Sequence, residues 1–264
     1  MLNSAGEQAQ PASHHGRYHH DRGRSEPSAG SGRGASAART RERTRETIYQ
    51  SHGKRSLDLA LGVPALVVAS PLIGLVALLV RLKLGSPIFF RLPRAGLGGR
   101  PFTPLKFRSM VVARDAAGAQ LPLNSQEAYA SARSGERLTG FGAFLRRTAL
   151  DELPSLWNVV RGEMSIVGPR PLFIEYLDRY TPEQMRRHEV KPGLTGWAQI
   201  HGRQAVPWEE RFERDAWYVD HLSLRLDAEI MLSTPRLLLS AVGVSEPGYA
   251  TGTEFMGSGR RTTP

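Results

Sequence analysis

Hydrophobic positions along the chain are unevenly spread. Residues 1–50 are rich in Gly, Ser, Ala, Arg and His and hold almost no large apolar residue. They read as a disordered basic tail, because such a composition cannot offset the entropy of ordering. No apolar stretch of the secretory type lies there. The pattern then reverses: Leu59–Val80 carries no charge and is apolar at nearly every position, not along a single stripe as in a core helix. Its about 22 residues make roughly 33 Å of straight helix, enough to cross a bilayer core. Both flanks are basic, with Lys54 and Arg55 before and Arg81 and Lys83 after, and positive residues favour the cytoplasmic side. Ser70-Pro71 stands in mid-segment. Pro71 has no N–H and clashes with the carbonyl four residues back, near Val67. The Ser70 hydroxyl is a candidate partner for the freed group. Together these features favour a re-entrant helix that breaks at Ser70 and Pro71 over a kinked transmembrane span.

Downstream, Ile88–Phe90 and Pro101–Phe107 read as short strands around Gly96-Leu-Gly-Gly99, a small β-hairpin at the membrane surface. Lys83 to Arg114 contains basic residues and no acid, which suits anionic headgroups or a diphosphate. Asp115–Glu136 is polar and Ala-rich, a surface helix or loop. Pro207–Arg225 places Trp208, Trp217, Tyr218 and Leu222 among charges, a pattern shared by interface helices and amphipathic core helices. Leu226–Val242 reads as another surface-lying helix, interrupted at Pro235. The fold class is α+β and mostly helical. It divides into a tail over 1–50, a re-entrant membrane helix with basic flanks over 51–84, a compact cytosolic catalytic domain with surface-lying amphipathic helices over 85–244, and a loose, Gly-rich tail over 245–264.

Composition narrows the chemistry. The net charge of +10 suits polyanionic partners. The absence of cysteine removes thiol nucleophiles, disulfides and zinc–thiolate sites. His14, His15, His19 and His20 read as incidental residues of an unstructured tail. Chemistry concentrates instead at Asp151-Glu152, between a basic segment and the stiff Gly168-Pro-Arg-Pro171 turn. A carboxylate can attack phosphorus or hold the Mg²⁺ that neutralises a diphosphate.

The ordered motifs are Lys54-Arg55-x-x-Asp58, Ser70-Pro71, Gly85–Phe90, Lys106-Phe-Arg-Ser-Met110, Asp151-Glu-Leu-Pro154, Asn158–Ser165, Val167–Pro171, Val190–Gln199, Gly202-Arg203, and Asp215 through Asp227. Over about residues 50–256 this series closely resembles the bacterial sugar transferases, the monotopic polyprenyl-phosphate phosphoglycosyl transferases. The resemblance is to the small type, such as the bacillosamine phosphotransferase. Leu92 departs from a Gln usual in the family.

The resemblance implies transfer of a phosphosugar from a UDP-sugar to undecaprenyl (polyprenyl) phosphate, with release of UMP, as a first membrane step of glycan assembly. It implies Mg²⁺, a covalent phosphosugar on Asp151, and a catalytic role for Glu152, whose share the sequence does not divide from that of Asp151. Lys106, Arg108, Arg170 and Arg203 are candidates for gripping phosphate, and Asp227 is a candidate metal or substrate ligand beside Asp151. The expected place is the cytoplasmic face of a bacterial inner membrane, on an anionic bilayer. A non-catalytic scaffold of the same fold, or a basic nucleic-acid binder, is the alternative. Intact Asp151, Glu152 and Arg170 argue against the first, and the Leu59–Val80 segment against the second.

Overall fold

The computed structural model describes residues 49–112, 117, 137–202, 205–240 and 254–258. The basic tail, nearly all of Asp115–Glu136, and Arg203 lie outside the described residues.

A π-helical turn, Tyr49–Gly53, leads into helix α1, Lys54–Lys83. α1 is one unbroken helix with Pro64 and Pro71 inside it, where the sequence predicts a break. The reason is local. Pro71 frees the Val67 carbonyl, and the Ser70 hydroxyl donates to that carbonyl at 2.8 Å, so the turn keeps a hydrogen bond without the missing N–H.

Most of α1 is apolar and exposed: Leu61, Val63, Val67, Val68, Leu72, Leu75 and Leu78 all face outward. Its buried positions, Lys54, Asp58, Gly62, Val76 and Val80, follow helical spacing and sit at its two ends.

Both ends pack on the same body. At the N-terminal end, Lys54 Nζ lies 2.6 Å from Asp227 Oδ2 and donates to the Tyr218 hydroxyl at 3.0 Å. Arg55 caps a neighbouring helix by donating to the carbonyls of Val159 and Val160 at 2.6 and 2.7 Å. Asp58 Oδ1 accepts from the Ser165 hydroxyl and the Ile166 N–H, each at 2.8 Å. At the other end, Val76 and Val80 join Phe107 and Leu145 in a buried cluster. Lys54 and Arg55, which the sequence offers as the basic flank of the apolar segment, are also structural anchors.

The expected hairpin is present as two short antiparallel ladders. β1 (Phe89–Phe90) pairs with β4 (Lys106–Phe107), with Phe89 opposite Phe107. β2 (Arg94–Ala95) pairs with β3 (Pro101–Phe102) across the Leu97–Gly99 turn. Helix α2, Gly140–Arg147, is capped by the Thr139 side chain. It is followed by a 3₁₀ segment, Leu150–Ser155, and helix α3, Leu156–Arg161. β5 (Ser165–Val167) and β6 (Gly193–Thr195) form a parallel pair, linked by 3₁₀ turns and helix α4, Pro182–Met185. Helices α5 (Trp197–Ile200), α6 (Trp208–Asp220) and α7 (Leu224–Ser240) complete the body.

α7 runs through Pro235 without the expected interruption. Tyr218 and Leu222 belong to the core beneath β5, while Trp217 stays exposed and stacks on Trp197 and His221. The stretch expected to be loose returns to the body at Glu254–Ser258. Phe255 is buried among Tyr176, Tyr180, Trp208 and Phe212, and Arg179 donates to Glu254 and to the Phe255 carbonyl. Burying such a ring contributes about 1.5–3 kcal/mol, enough to override a Gly-rich composition.

Candidate active site

Asp151 and Glu152 sit in the first turn of the 3₁₀ segment. The chain reaches them through Ala149, a non-glycine residue at φ 54°. This left-handed position ends α2 and turns the backbone into the body. Ser155 Oγ donates to the Leu105 carbonyl at 2.8 Å, and the Leu105 N–H donates to Asn158 Oδ1 at 2.8 Å. Asn158 Nδ2 reaches the Thr103 carbonyl and Glu163. These bonds fasten β4 across the acid pair and place Lys106 over both carboxylates.

Lys106 Nζ lies 2.9 Å from Asp151 Oδ2 and 2.9 Å from Glu152 Oε1. Arg170 NH2 donates to the same Glu152 oxygen at 2.9 Å. Arg146, at the end of α2, donates to Ser109 Oγ at 2.9 Å and is within electrostatic reach of both acids.

The two acids differ in environment. Asp151 is 1% exposed. Its Oδ2 forms an ion pair with Lys106 but receives no aligned hydrogen bond. Burial raises its pKa, with Lys106 pulling the other way. For Glu152, burial opposes ionisation, but Arg170 and Lys106 outweigh it and hold the carboxyl well below its ordinary range. Glu152 is thus a cation-bound acid held in its ionised form. Asp151 is a desolvated acid whose charge is met at contact distance by Lys106 alone among the described residues.

Of the residues proposed from sequence, Asp151, Glu152, Lys106 and Arg170 come together. Arg108 does not. Its guanidinium donates to the Leu84 carbonyl just past α1, where the carbonyl end of a helix attracts a cation. Asp227 does not either. It is fully buried, and its oxygens accept from Tyr49, Lys54 and Tyr218. Among the described residues no cluster of three or more acids or histidines gathers, so Asp227 is the partner of Lys54 and not a third acid beside the dyad.

Sequence reasoning missed Arg146, whose signal was its place in the basic segment five residues before Asp151. It also missed the buried Arg187, for which no local signal exists.

Such a site, a cation-ringed carboxylate pair on a body carrying an exposed apolar helix, defines a class of enzyme that handles phosphate groups beside an apolar phase. Residues 49–241 match the family model for bacterial sugar transferases. The chain belongs to that family and is an enzyme of the phosphoglycosyl transferase kind. It is 47% identical over 206 residues to EpsL of Bacillus subtilis, described as an uncharacterized sugar transferase, covering 78% of this chain and 96% of that protein. It is 39% identical over 194 residues to the exopolysaccharide production protein ExoY of Sinorhizobium fredii, covering 71% of this chain and 86% of that one. Identity to the UDP-glucose:undecaprenyl-phosphate glucose-1-phosphate transferase of Xanthomonas campestris is 41% over 185 residues, covering 67% of this chain but 37% of that longer protein.

Proposed function

We propose that this enzyme transfers a sugar 1-phosphate from a UDP-sugar to a polyprenyl phosphate such as undecaprenyl phosphate, in two displacements at Asp151. The observation that carries this reading is the buried Asp151 carboxylate, paired with Lys106 and set beside a cation-bound Glu152. In the first step an Asp151 oxygen attacks the β-phosphorus. The bond from that phosphorus to the bridging oxygen breaks, and UMP leaves with the oxygen. In the second, an oxygen of the lipid phosphate attacks the same phosphorus and the Asp151 carboxylate departs. The product is a polyprenyl diphosphosugar. Covalent catalysis of this kind gives ping-pong kinetics.

Lys106, Arg146 and Arg170 offset the negative charge that a carboxylate meets on approaching a diphosphate. Glu152, whose Oε1 is held by two of these cations, orients them. Mg²⁺ fits the same place. Magnesium takes one or two carboxylates together with substrate phosphate oxygens, and Asp151 Oδ2 and Glu152 are the carboxylate donors at hand. When bound, the metal supplies positive charge to the phosphoryl group.

The membrane reading rests on α1. Its unburied stretch from Val63 to Leu75 makes about 20 Å of helix, short of the roughly 30 Å hydrocarbon core. Because both ends are fastened to one body, α1 dips into a single leaflet without crossing it, with the body on the cytoplasmic face.

Purified protein in detergent with undecaprenyl phosphate and Mg²⁺, offered UDP-glucose, UDP-galactose and their N-acetylated counterparts, should release UMP from at least one. No UMP release from any UDP-sugar would defeat the reading.

A further inference from the structure

The loop that carries Arg170 is pinned at three successive backbone groups. The Gly168 N–H donates to the Thr195 carbonyl at 2.8 Å, and the Pro169 carbonyl accepts from the Gly193 N–H at 3.0 Å. Both bonds come from the neighbouring strand β6. The third comes from a side chain: Arg187 NH2 donates to the Arg170 carbonyl at 2.7 Å. Pro169 and Pro171 have no N–H to offer inside the loop, and the Pro169 and Arg170 carbonyls take their donors from outside it.

Arg187 is 3% exposed and comes from the 3₁₀ turn Arg186–His188. Its Nε and NH2 both donate to Asp215 Oδ2 on α6, at 3.0 and 2.8 Å. Asp215 is also buried. The rings of Tyr180 and Phe212 flank the guanidinium. A buried ion pair loses in desolvation much of what it gains by attraction, and apolar residues of similar size often serve stability as well. This pair has a geometric use that apolar residues would lack, because Arg187 extends a donor to the residue that grips Glu152.

We propose that Arg187, aligned by Asp215, is a positioning residue that fixes the Arg170 peptide and so keeps the Arg170 guanidinium on Glu152. This rests on the reading of Arg170 and Glu152 as parts of the active site. Arg187 touches neither acid and acts only through Arg170.

The test replaces the pair as a unit, Arg187→Met with Asp215→Leu, to avoid leaving one buried charge alone. The conservative Asp215→Asn serves as a second variant, and full-length protein in detergent is used. Turnover is read as UMP release from the best UDP-sugar of the screen. The pair replacement should lower kcat by about ten- to a hundredfold, as a misplacement of about 1 Å does. KM for the UDP-sugar should change far less than kcat, because what is lost is an interaction made in the transition state and not uniform binding. Glu152 faces Lys106 from β4, Arg170, and the neighbouring Asp151, with Arg146 of α2 in electrostatic reach. Loosening Arg170 therefore displaces one of the cations gathered at the acid pair.

In an Arg170→Gln background the same replacement should do little more, because coupled residues are non-additive. A loss carried by KM alone, or an equal loss with and without Arg170, overturns the proposal and leaves Arg187 a packing residue. If Arg170→Gln alone is silent, the active-site reading of Arg170 falls instead. If the pair variant does not fold, Asp215→Asn carries the same two readouts.

Discussion

Lys54 and Asp227 are 173 positions apart in sequence, and their charged atoms meet at 2.6 Å in the interior. Lys54 opens the apolar helix, Asp227 opens the last long one, and the Tyr49 and Tyr218 hydroxyls donate to the same carboxylate at 2.6 and 2.7 Å. Removing one member leaves an uncompensated buried charge. Lys54→Met should therefore destabilise the protein by about 3–5 kcal/mol. Adding Asp227→Asn should recover part of the loss, because the amide carries no charge, its oxygen still accepts from one tyrosine and its NH2 can donate to the other hydroxyl. Denaturant unfolding in detergent measures both, and a milder double variant is the sign of the pair.

Asp151→Asn should separate activity from stability. Turnover should fall by at least about a thousandfold, since the amide is not an anionic nucleophile. Stability should hold or rise. The folded-state pKa of Asp151 is raised by burial, so the folded protein favours the protonated acid and its ionised form costs stability at neutral pH. That cost shrinks as pH falls and Asp151 takes up a proton, so the gain in Tm should be largest near neutrality and fade in acid. A well-folded Asp151→Asn protein with near-normal UMP release would falsify the nucleophile assignment.

Glu152 has the opposite sign. Arg170 and Lys106 depress its folded-state pKa below the ordinary 4.5. Its contribution to stability is fully present above that value and is lost as pH falls through the depressed one. Arg170→Gln brings the folded value nearer the ordinary one and diminishes this contribution. The variant should lose Tm relative to the parent at neutral pH, and the difference should close as the medium becomes acid enough to protonate Glu152 in both. A difference independent of pH would mean that Arg170 acts on stability by packing alone.

How legible was all this in the sequence? The apolar helix and the hairpin were legible, because each is marked by a compact local pattern, whereas Lys106 and Arg170 were brought to the acid pair only by the family resemblance. Asp227 was not. Its partner enters from the far end of the chain, and an acid in a first helical turn carries no mark of what it faces. Arg108 was read like Lys106 because both are basic and two apart, yet one reaches the acids and the other the end of α1. Pro71 and Pro235 were read as breaks, whereas α1 and α7 run through them. Phe255 lay within a Gly-rich stretch whose average composition concealed one well-packed ring.

Phe255→Ala should cost about 3–5 kcal/mol, the usual range for emptying a buried aromatic site. The change removes a ring that stacks on Tyr180 and meets Tyr176, Trp208 and Phe212. Unfolding in detergent reads the loss. A cost under about 0.5 kcal/mol, as for a surface change, would return the segment to the status of a loose tail.

Topology is open to chemical labelling, since the chain has no native cysteine. Ser51 and Ser86 flank α1 and are exposed. Cysteines placed there should both react only after the inner membrane is permeabilised. Asp58→Ala, which unfastens the helix from Ser165 and Ile166, should increase outside labelling at Ser51 if those bonds hold the N-terminal end down. Outside labelling of Ser51 in the unaltered background would mean that α1 spans.

A helix fastened at both ends leaves no hinge between anchor and catalyst. In the proposed setting the distance from the bilayer to Asp151 is then a fixed property of the molecule, like the height of a tool on a rigid stand. The lipid acceptor, with its phosphate confined to the headgroup plane, would find the site by lateral diffusion in two dimensions. The water-soluble donor would be the substrate that arrives through the third.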